Sequence, residues 1–458
     1  MSSKAAQPAP AWLLLNPDHP IKSLSIAFCL WKSLLLVALV CCPGPGYDTS
    51  TGLLSYLVPG AADINTQQPV SHPPLSTLLK LVRWDAIYFV HTAENGYVYE
   101  QEWAFGYGYS QVLSFLVFVL RHFGGVSGVT AVALIAIALS HITHFLSVLA
   151  LYRLSVNVFG QGTTARKLTC FLSAAFHIVC PAGAFLSAPY GESLFSFLNF
   201  SGFYVYSSSL LDDNAGRTLI SSIKLLIAAV LFSAATTVRS NGILSGFLFA
   251  YDAILLLQRT LFQGLSRHAC LRLCVTVIGG CIIAVGMIFP QVLAYADFCL
   301  DVQTPRPWCG RLIPSIYGWV QSYYWNVGFL RYWTISNLPL FLLAIPMLFT
   351  LCRSSVWALS PSKADKPTSS TLSASLLTRL AVPQGLLAIL AFTSYHVQII
   401  NRICSGYPLW YWYLACQLVH DRREPHRKRK LDWGFVVQGM VVYAVFQAVL
   451  FGSFLPPA

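Results

Sequence analysis

Apolar residues dominate the chain in runs of about twenty residues that recur from Ile21 to Leu450, separated by short polar breaks. Wound as a helix rising ~1.5 Å per residue, such a run crosses a hydrocarbon core about 30 Å thick. The runs are apolar on every face rather than alternating in segments of about ten residues, so the pattern predicts membrane helices and not a β-barrel. Crossings are expected at 21–42, 126–150, 168–188, 190–208, 219–237, 242–260, 273–296, 337–352, 378–396, 407–419 and 433–454, about eleven in all. The segment 108–123 is apolar but short and is expected to lie along the membrane surface.

Charge supports that arrangement. With 108–123 left out of the crossings, Arg153/Arg166/Lys167, Arg259/Arg267/Arg272, Arg353/Lys363/Lys366 and the run from Arg422 to Lys430 share one side, which the positive-inside rule makes cytosolic. The formal charge of +12 is thereby explained by loops facing anionic lipid, without nucleic acid. With 56% hydrophobic and 10% charged residues, the composition is that of an all-α polytopic membrane protein, read here as one membrane domain over 1–458. Its expected landmarks are a first large loop at 43–125 that includes the surface helix, a second at 297–336, and the basic cytosolic loop 420–432. The first apolar run has no small-residue cleavage pattern after it and is expected to stay as an anchor. No internal repeat of the transporter kind is visible.

Most of the thirteen cysteines fall inside the apolar runs, where Cys packs as a small hydrophobe, and no Cys/His spacing points to zinc. Cys299 and Cys309 differ, since both belong to the second loop, where an oxidising compartment would let them pair. The pattern Asn199-Phe200-Ser201 falls within an expected helix, which argues against its glycosylation.

The polar motifs that could carry chemistry fall on the face opposite the basic loops. Tyr47-Asp48-Thr49-Ser50-Thr51 follows the first helix; Arg83-Trp84-Asp85 and Glu94 lie in the same loop, whose acids Asp48, Asp63, Asp85, Glu94, Glu100 and Glu102 face only Lys80 and Arg83. Ala188-Pro189-Tyr190-Gly191-Glu192 sits at a tight turn, Arg239-Ser240-Asn241 ends the fifth crossing, Asn401-Arg402 ends the ninth, and the aromatic stretch Gln321 to Trp333 belongs to the second loop. Each has a plainer alternative. An arginine at a helix end can simply snorkel, and Tyr and Trp can form an interfacial belt. Glu192 resists that reading, because a carboxylate at membrane depth costs several kcal/mol unless it is paired or in water. Lys32, midway along the first run, either stretches to the cytosolic boundary or faces the bundle interior.

Arg83-Trp84-Asp85 followed by HTAENGYVYE from His91, SAPYGESLFSF from Ser187, VRSNG from Val238, YWNVGFL from Tyr324 and YPLWYW from Tyr407 together resemble the PIG-V family of GPI mannosyltransferases. One departure is Gly106-Tyr107-Gly108-Tyr109, where members of the family often carry a Pro-containing aromatic turn. The resemblance implies a GT-C glycosyltransferase of the endoplasmic reticulum membrane with a lumenal active face. It implies transfer of mannose from dolichyl-phosphate mannose, α-1,6, to the first mannose of the GPI precursor. The donor sugar is β-linked and the product α-linked, so a single inverting displacement with one carboxylate base is expected. Asp85 and Asp48 are the base candidates. Arg239, Arg402 and Arg83 are candidates for phosphate, and Trp84, Glu94, Tyr190, Glu192, Asn241, Trp325 and Asn326 for the remaining substrate contacts. No cofactor is demanded; a divalent metal is compatible with the paired acids, though no spacing calls for one. The lipid-linked substrates and the membrane are the expected partners, and the sequence leaves open a small accessory subunit. The competing readings are another dolichyl-phosphate-mannose-dependent transferase or, from a different class, a transporter of a lipid-linked substrate.

Overall fold

The computed structural model describes residues 16–43, 46–48, 50–52, 54, 77–124, 128–264, 266–300, 303–360, 371–423 and 432–455. Among them run fifteen α-helices: α1 Pro20–Cys41, α2 Asp85–Asn95, α3 Tyr107–His122, α4 Val129–Phe159, α5 Thr164–Ile178, α6 Glu192–Asn214, α7 Thr218–Val238, α8 Gly246–Gln263, α9 Arg267–Cys299, α10 Ile316–Tyr323, α11 Leu338–Leu359, α12 Thr371–Thr393, α13 Ile400–Ile403, α14 Leu409–Arg423 and α15 Trp433–Gly452. The chain is an all-α, multi-pass membrane protein. Most of the basic loop 420–432, and 55–76 of the first loop with Asp63, lie outside the described residues.

Eight of the described helices, rather than about eleven, are long and apolar enough to cross a membrane on those two grounds alone: α1, α4, α7, α8 with its leading turn, α9, α11, α12 and α15. Their outward faces carry exposed apolar side chains such as Ile142, Val230, Val285 and Phe446. The other three expected crossings, 168–188, 190–208 and 407–419, correspond to α5, α6 and α14, and the difference has a physical cause. α6 packs between α4 and α7 and buries Glu192, Ser193, Ser196, Asn199, Ser209 and Asp212, so protein rather than lipid surrounds it and its sequence need not be apolar. α14 likewise buries Trp410, Tyr411, Trp412 and Tyr413. The expected continuous helix 168–188 is broken: α5 stops at Ile178, ahead of Pro181, and the chain turns through a 3₁₀ segment at Gly183–Leu186.

Asn199 is buried, donates from Nδ2 to the Gly406 carbonyl at 2.9 Å, and accepts from Ser245 Oγ at 2.9 Å. A side chain spent on helix packing in this way is closed to glycosylation. The first-loop glycines also find their reason in packing. A Cβ at Gly106 would fall 1.7 Å from the Val238 carbonyl oxygen, and one at Gly108 2.2 Å from Thr237 Oγ1, so only glycine lets the start of α3 cross the end of α7.

Candidate active site

Where that crossing occurs, the ends of several helices enclose a cavity of ≈ 640 Å³, within the ~300–1,000 Å³ usual for ligand sites. Asp85 at the start of α2, Arg239 and Asn241 after α7, and Arg402 in α13 all line it, although the chain separates them widely.

These side chains form one alternating row of charge. Arg402 Nη2 donates to Asp85 Oδ2 at 2.7 Å, Arg402 Nε stands 3.4 Å from Glu192 Oε1, and the same oxygen accepts from Arg239 Nη1 at 2.6 Å. The 3.4 Å approach is an ion contact without hydrogen-bond geometry, so Arg402 Nε remains without a hydrogen-bond partner, as do Arg239 Nε and Glu192 Oε2. Burial works against the Arg402 charge, but Asp85, Glu192 and Tyr190 outweigh it and raise its pKa above the ordinary guanidinium value. Exposure separates the two acids: the Asp85 side chain is 28% exposed and can meet a substrate, whereas Glu192 is 0% exposed and reaches one only through its arginines.

Glu192 is held by the turn before it. Lys32 in α1 donates from Nζ to the Leu186 carbonyl and to Ser187 Oγ, both at 2.8 Å, so this lysine faces the bundle and pins the turn. Ser140 Oγ donates to the Ala188 carbonyl at 2.7 Å, and Gln447 brackets the turn by accepting from Ala184 N and donating to the Pro181 carbonyl. Glu192 then opens α6, where the positive end of the helix dipole favours a carboxylate. Tyr190, fully buried, donates its hydroxyl to the Arg83 carbonyl at 2.9 Å and ties this turn to the first-loop motif; burial first and then Asp85 push its pKa well up.

That motif is held under strain. Trp84 has φ 56° and ψ −128°, a conformation costing a bulky residue ~1–3 kcal/mol, and it launches α2 so that Asp85 faces the cavity. Phe454, itself at φ 56°, repays this by packing: the Trp84 indole meets its ring edge-on at 5.1 Å and the Arg83 guanidinium lies 4.4 Å over it. Arg83 is fully buried there and donates to the Lys80 carbonyl; burial lowers its pKa and the nearby Asp48 charge opposes the fall.

The structure does not gather every expected residue. Asp48 accepts from the Ser50 backbone at 2.7 Å beside Arg83, and Ser50, not Asp48, lines the cavity. Glu94 instead receives Arg121 Nη2 on both oxygens at 2.6 Å, joining α2 to α3 away from the cavity. Asn326 has φ 52°, a left-handed turn that sets Trp325 and Val327 on the wall without lining it itself. Cys299 and Cys309 are joined as a disulfide with Cα atoms 5.6 Å apart. Nearby, Glu100 accepts from Trp308 Nε1 at 2.6 Å and from the Tyr324 hydroxyl at 3.1 Å, so the second loop is bound to the first through an acid with no expected role of this kind. Gln291, His396 and Phe454 also line the cavity and were not anticipated; a glutamine directly after Pro290 within an apolar run was the one readable sign. Among the described residues, no group of three His, Cys, Asp or Glu side chains is arranged to hold a metal.

Comparison with known proteins identifies the family. A family model described as mannosyltransferase (PIG-V) matches residues 28–458. The chain belongs to the PIG-V mannosyltransferase family. It is 59% identical over 97% of its length to GPI mannosyltransferase 2 of Aspergillus oryzae, covering 98% of that protein. With the Aspergillus fumigatus protein of the same description the identity is 54%, over 97% of this chain and 95% of the other. A more distant relative so described, from Gibberella zeae, is 42% identical over 97% of this chain and 100% of its own length. Among solved structures, the apo oligosaccharyltransferase of Archaeoglobus fulgidus aligns with 92% of this chain and 55% of that chain at 14% identity and a TM-score of 0.43.

Proposed function

We infer that this protein transfers mannose from dolichyl-phosphate mannose to the first mannose of the GPI precursor, forming an α-1,6 linkage and adding the second mannose in GPI-anchor biosynthesis. The observation that carries this reading is the near-full-length identity to proteins described as GPI mannosyltransferase 2. The cavity supports it with chemistry of the right kind, two arginines and a carboxylate around a space of sugar-phosphate size. The fold proposed is a GT-C-like bundle in which α5, α6 and α14, shielded by neighbouring helices, complete about eleven crossings. With the basic loops cytosolic, that proposed count supports a cavity on the lumenal face of the endoplasmic reticulum membrane.

In the proposed mechanism the donor phosphate takes up Arg239 and Arg402, whose guanidinium forks suit phosphate oxygens. Drawing Arg402 toward the phosphate loosens its bond to Asp85 and frees the carboxylate to act as base. The acceptor hydroxyl passes its proton to Asp85 as its oxygen bonds to the anomeric carbon from the face opposite the phosphate. The bond from that carbon to the phosphate oxygen breaks, and dolichyl phosphate leaves with the electron pair, neutralised by the two arginines. Both substrates bear lipid tails, which the bilayer and the helix faces accommodate.

Lipid analysis of cells lacking this protein tests the reading. A GPI intermediate with one mannose should accumulate, and re-expression should clear it. Accumulated N-glycan precursors would move the assignment to another dolichyl-phosphate-mannose-dependent transferase, and unaltered mannosylation with defective lipid movement would favour a transporter.

A further inference from the structure

Away from the charged row, the cavity wall changes character. Gln291 of α9, Gln321 of α10, Trp325 and His396 line it with no formal charge among the first three. The hydrogen bonds these residues make to the surrounding backbone determine the polarity of what they present.

Gln291 accepts the Tyr317 backbone N–H at 3.2 Å and the Ser315 hydroxyl at 3.0 Å on the same side-chain atom. A backbone N–H only donates, so that atom is the amide oxygen and the NH₂ group is left as a donor. His396 is oriented by the same logic. Its Nε2 lies 2.9 Å from the Trp325 carbonyl, which only accepts, so in the neutral ring Nε2 carries the proton and Nδ1 is an acceptor. Stacking of the His396 ring on Tyr332 at 4.6 Å fixes its plane. Trp325 adds an indole whose edge-on contact with Phe105 at 5.5 Å sets its tilt.

A fixed donor, an aromatic surface and, in the neutral imidazole ring, a fixed acceptor are suited to the hydroxyls and the C–H face of a neutral hexopyranose and not to a phosphate. We propose that Gln291, Trp325 and His396 form the acceptor-sugar subsite, which reads hydroxyls of the terminal sugar of the acceptor while the arginine row holds the donor. The inference rests on the mannosyltransferase reading above. The two subsites adjoin, because Ser240, next to Arg239, donates its hydroxyl to Tyr317 at 2.8 Å, and Tyr317 is the residue whose backbone fixes Gln291.

The test is steady-state kinetics of the purified full-length protein with dolichyl-phosphate mannose and a synthetic lipid-linked acceptor ending in one mannose. Gln291→Glu keeps an oxygen for Tyr317 and Ser315 but loses the donor; His396→Gln keeps an N–H for the Trp325 carbonyl but has no acceptor at the position of Nδ1, its amide oxygen lying on the carbon that also bears the N–H. Each should raise the acceptor KM about tenfold, the loss of one hydrogen bond to the sugar, with the donor KM and the thermal stability near wild type. An unchanged acceptor KM in both, or a rise in the donor KM of the uncharged His396→Gln variant, overturns the assignment. Failure of the wild-type protein to form the two-mannose product overturns the reading beneath it instead.

Discussion

Glu192→Gln removes one charge from a row that is neutral as it stands, with Asp85 and Glu192 against Arg239 and Arg402. Breaking a buried ion pair by neutralising one partner typically costs ~3–5 kcal/mol. Here the cost falls to or below the bottom of that range, because the Arg239 and Arg402 side chains are 18% and 16% exposed and a glutamine carbonyl can still accept from Arg239. A loss of about 2–3 kcal/mol is therefore expected, read as earlier loss of the monodisperse species when the detergent-purified protein is heated. The same substitution leaves two arginines with one carboxylate fewer, so an incoming phosphate meets a net positive floor. The donor KM should fall while stability falls, by up to about tenfold if one charge-assisted hydrogen bond is gained. Unchanged thermal behaviour together with a raised donor KM would refute this account and make Glu192 a direct sugar contact.

Asp85→Asn should lower turnover by about 10²-fold or more with normal expression, whereas Asp48→Asn, off the cavity wall, should keep most of its rate in the same radiolabelled-mannose transfer assay; the reverse ranking would make Asp48 the base. Glu94→Gln loses only the pairing with a part-exposed Arg121, so melting should shift by less than about 1 kcal/mol equivalent and kcat/KM should be unchanged. Lys32→Met leaves the Ser187 hydroxyl unpaired in the bundle and the Leu186 carbonyl held by the Ser193 hydroxyl alone, and should destabilise by ~1–3 kcal/mol, measurable as reduced yield of monodisperse protein.

The lipid-facing helices were legible because their apolar runs are dictated by the solvent they meet, as α1, α7 and α15 show. The break at Ile178 was not, since hydropathy averages across a turn whose carbonyls are satisfied by Lys32, Ser140 and Gln447 from distant helices. At the site, Asp85, Glu192, Arg239 and Arg402 could be singled out because charge near a membrane is costly and so demands a purpose. Arg83 and Glu94 carry the same cost and discharge it differently, one against an aromatic ring and one against Arg121. Residue type alone does not distinguish those outcomes from a place on the cavity wall. Gln291 and His396 escaped notice because their roles depend on which of their atoms the backbone has already claimed.

The grip of Phe454 on Arg83 and Trp84 also sets an order of events during biogenesis. Synthesis delivers the first-loop motif early and α15 last among the described helices, and contacts between segments so far apart along the chain are slow to form. Until α15 is inserted, Trp84 carries its strained backbone without the ring that compensates it, and the motif is held only by Arg402 on Asp85 and by the Tyr190 hydroxyl on the Arg83 carbonyl. The cavity wall is therefore completed late, when the final helix docks beside α1 and brings Phe454 to it.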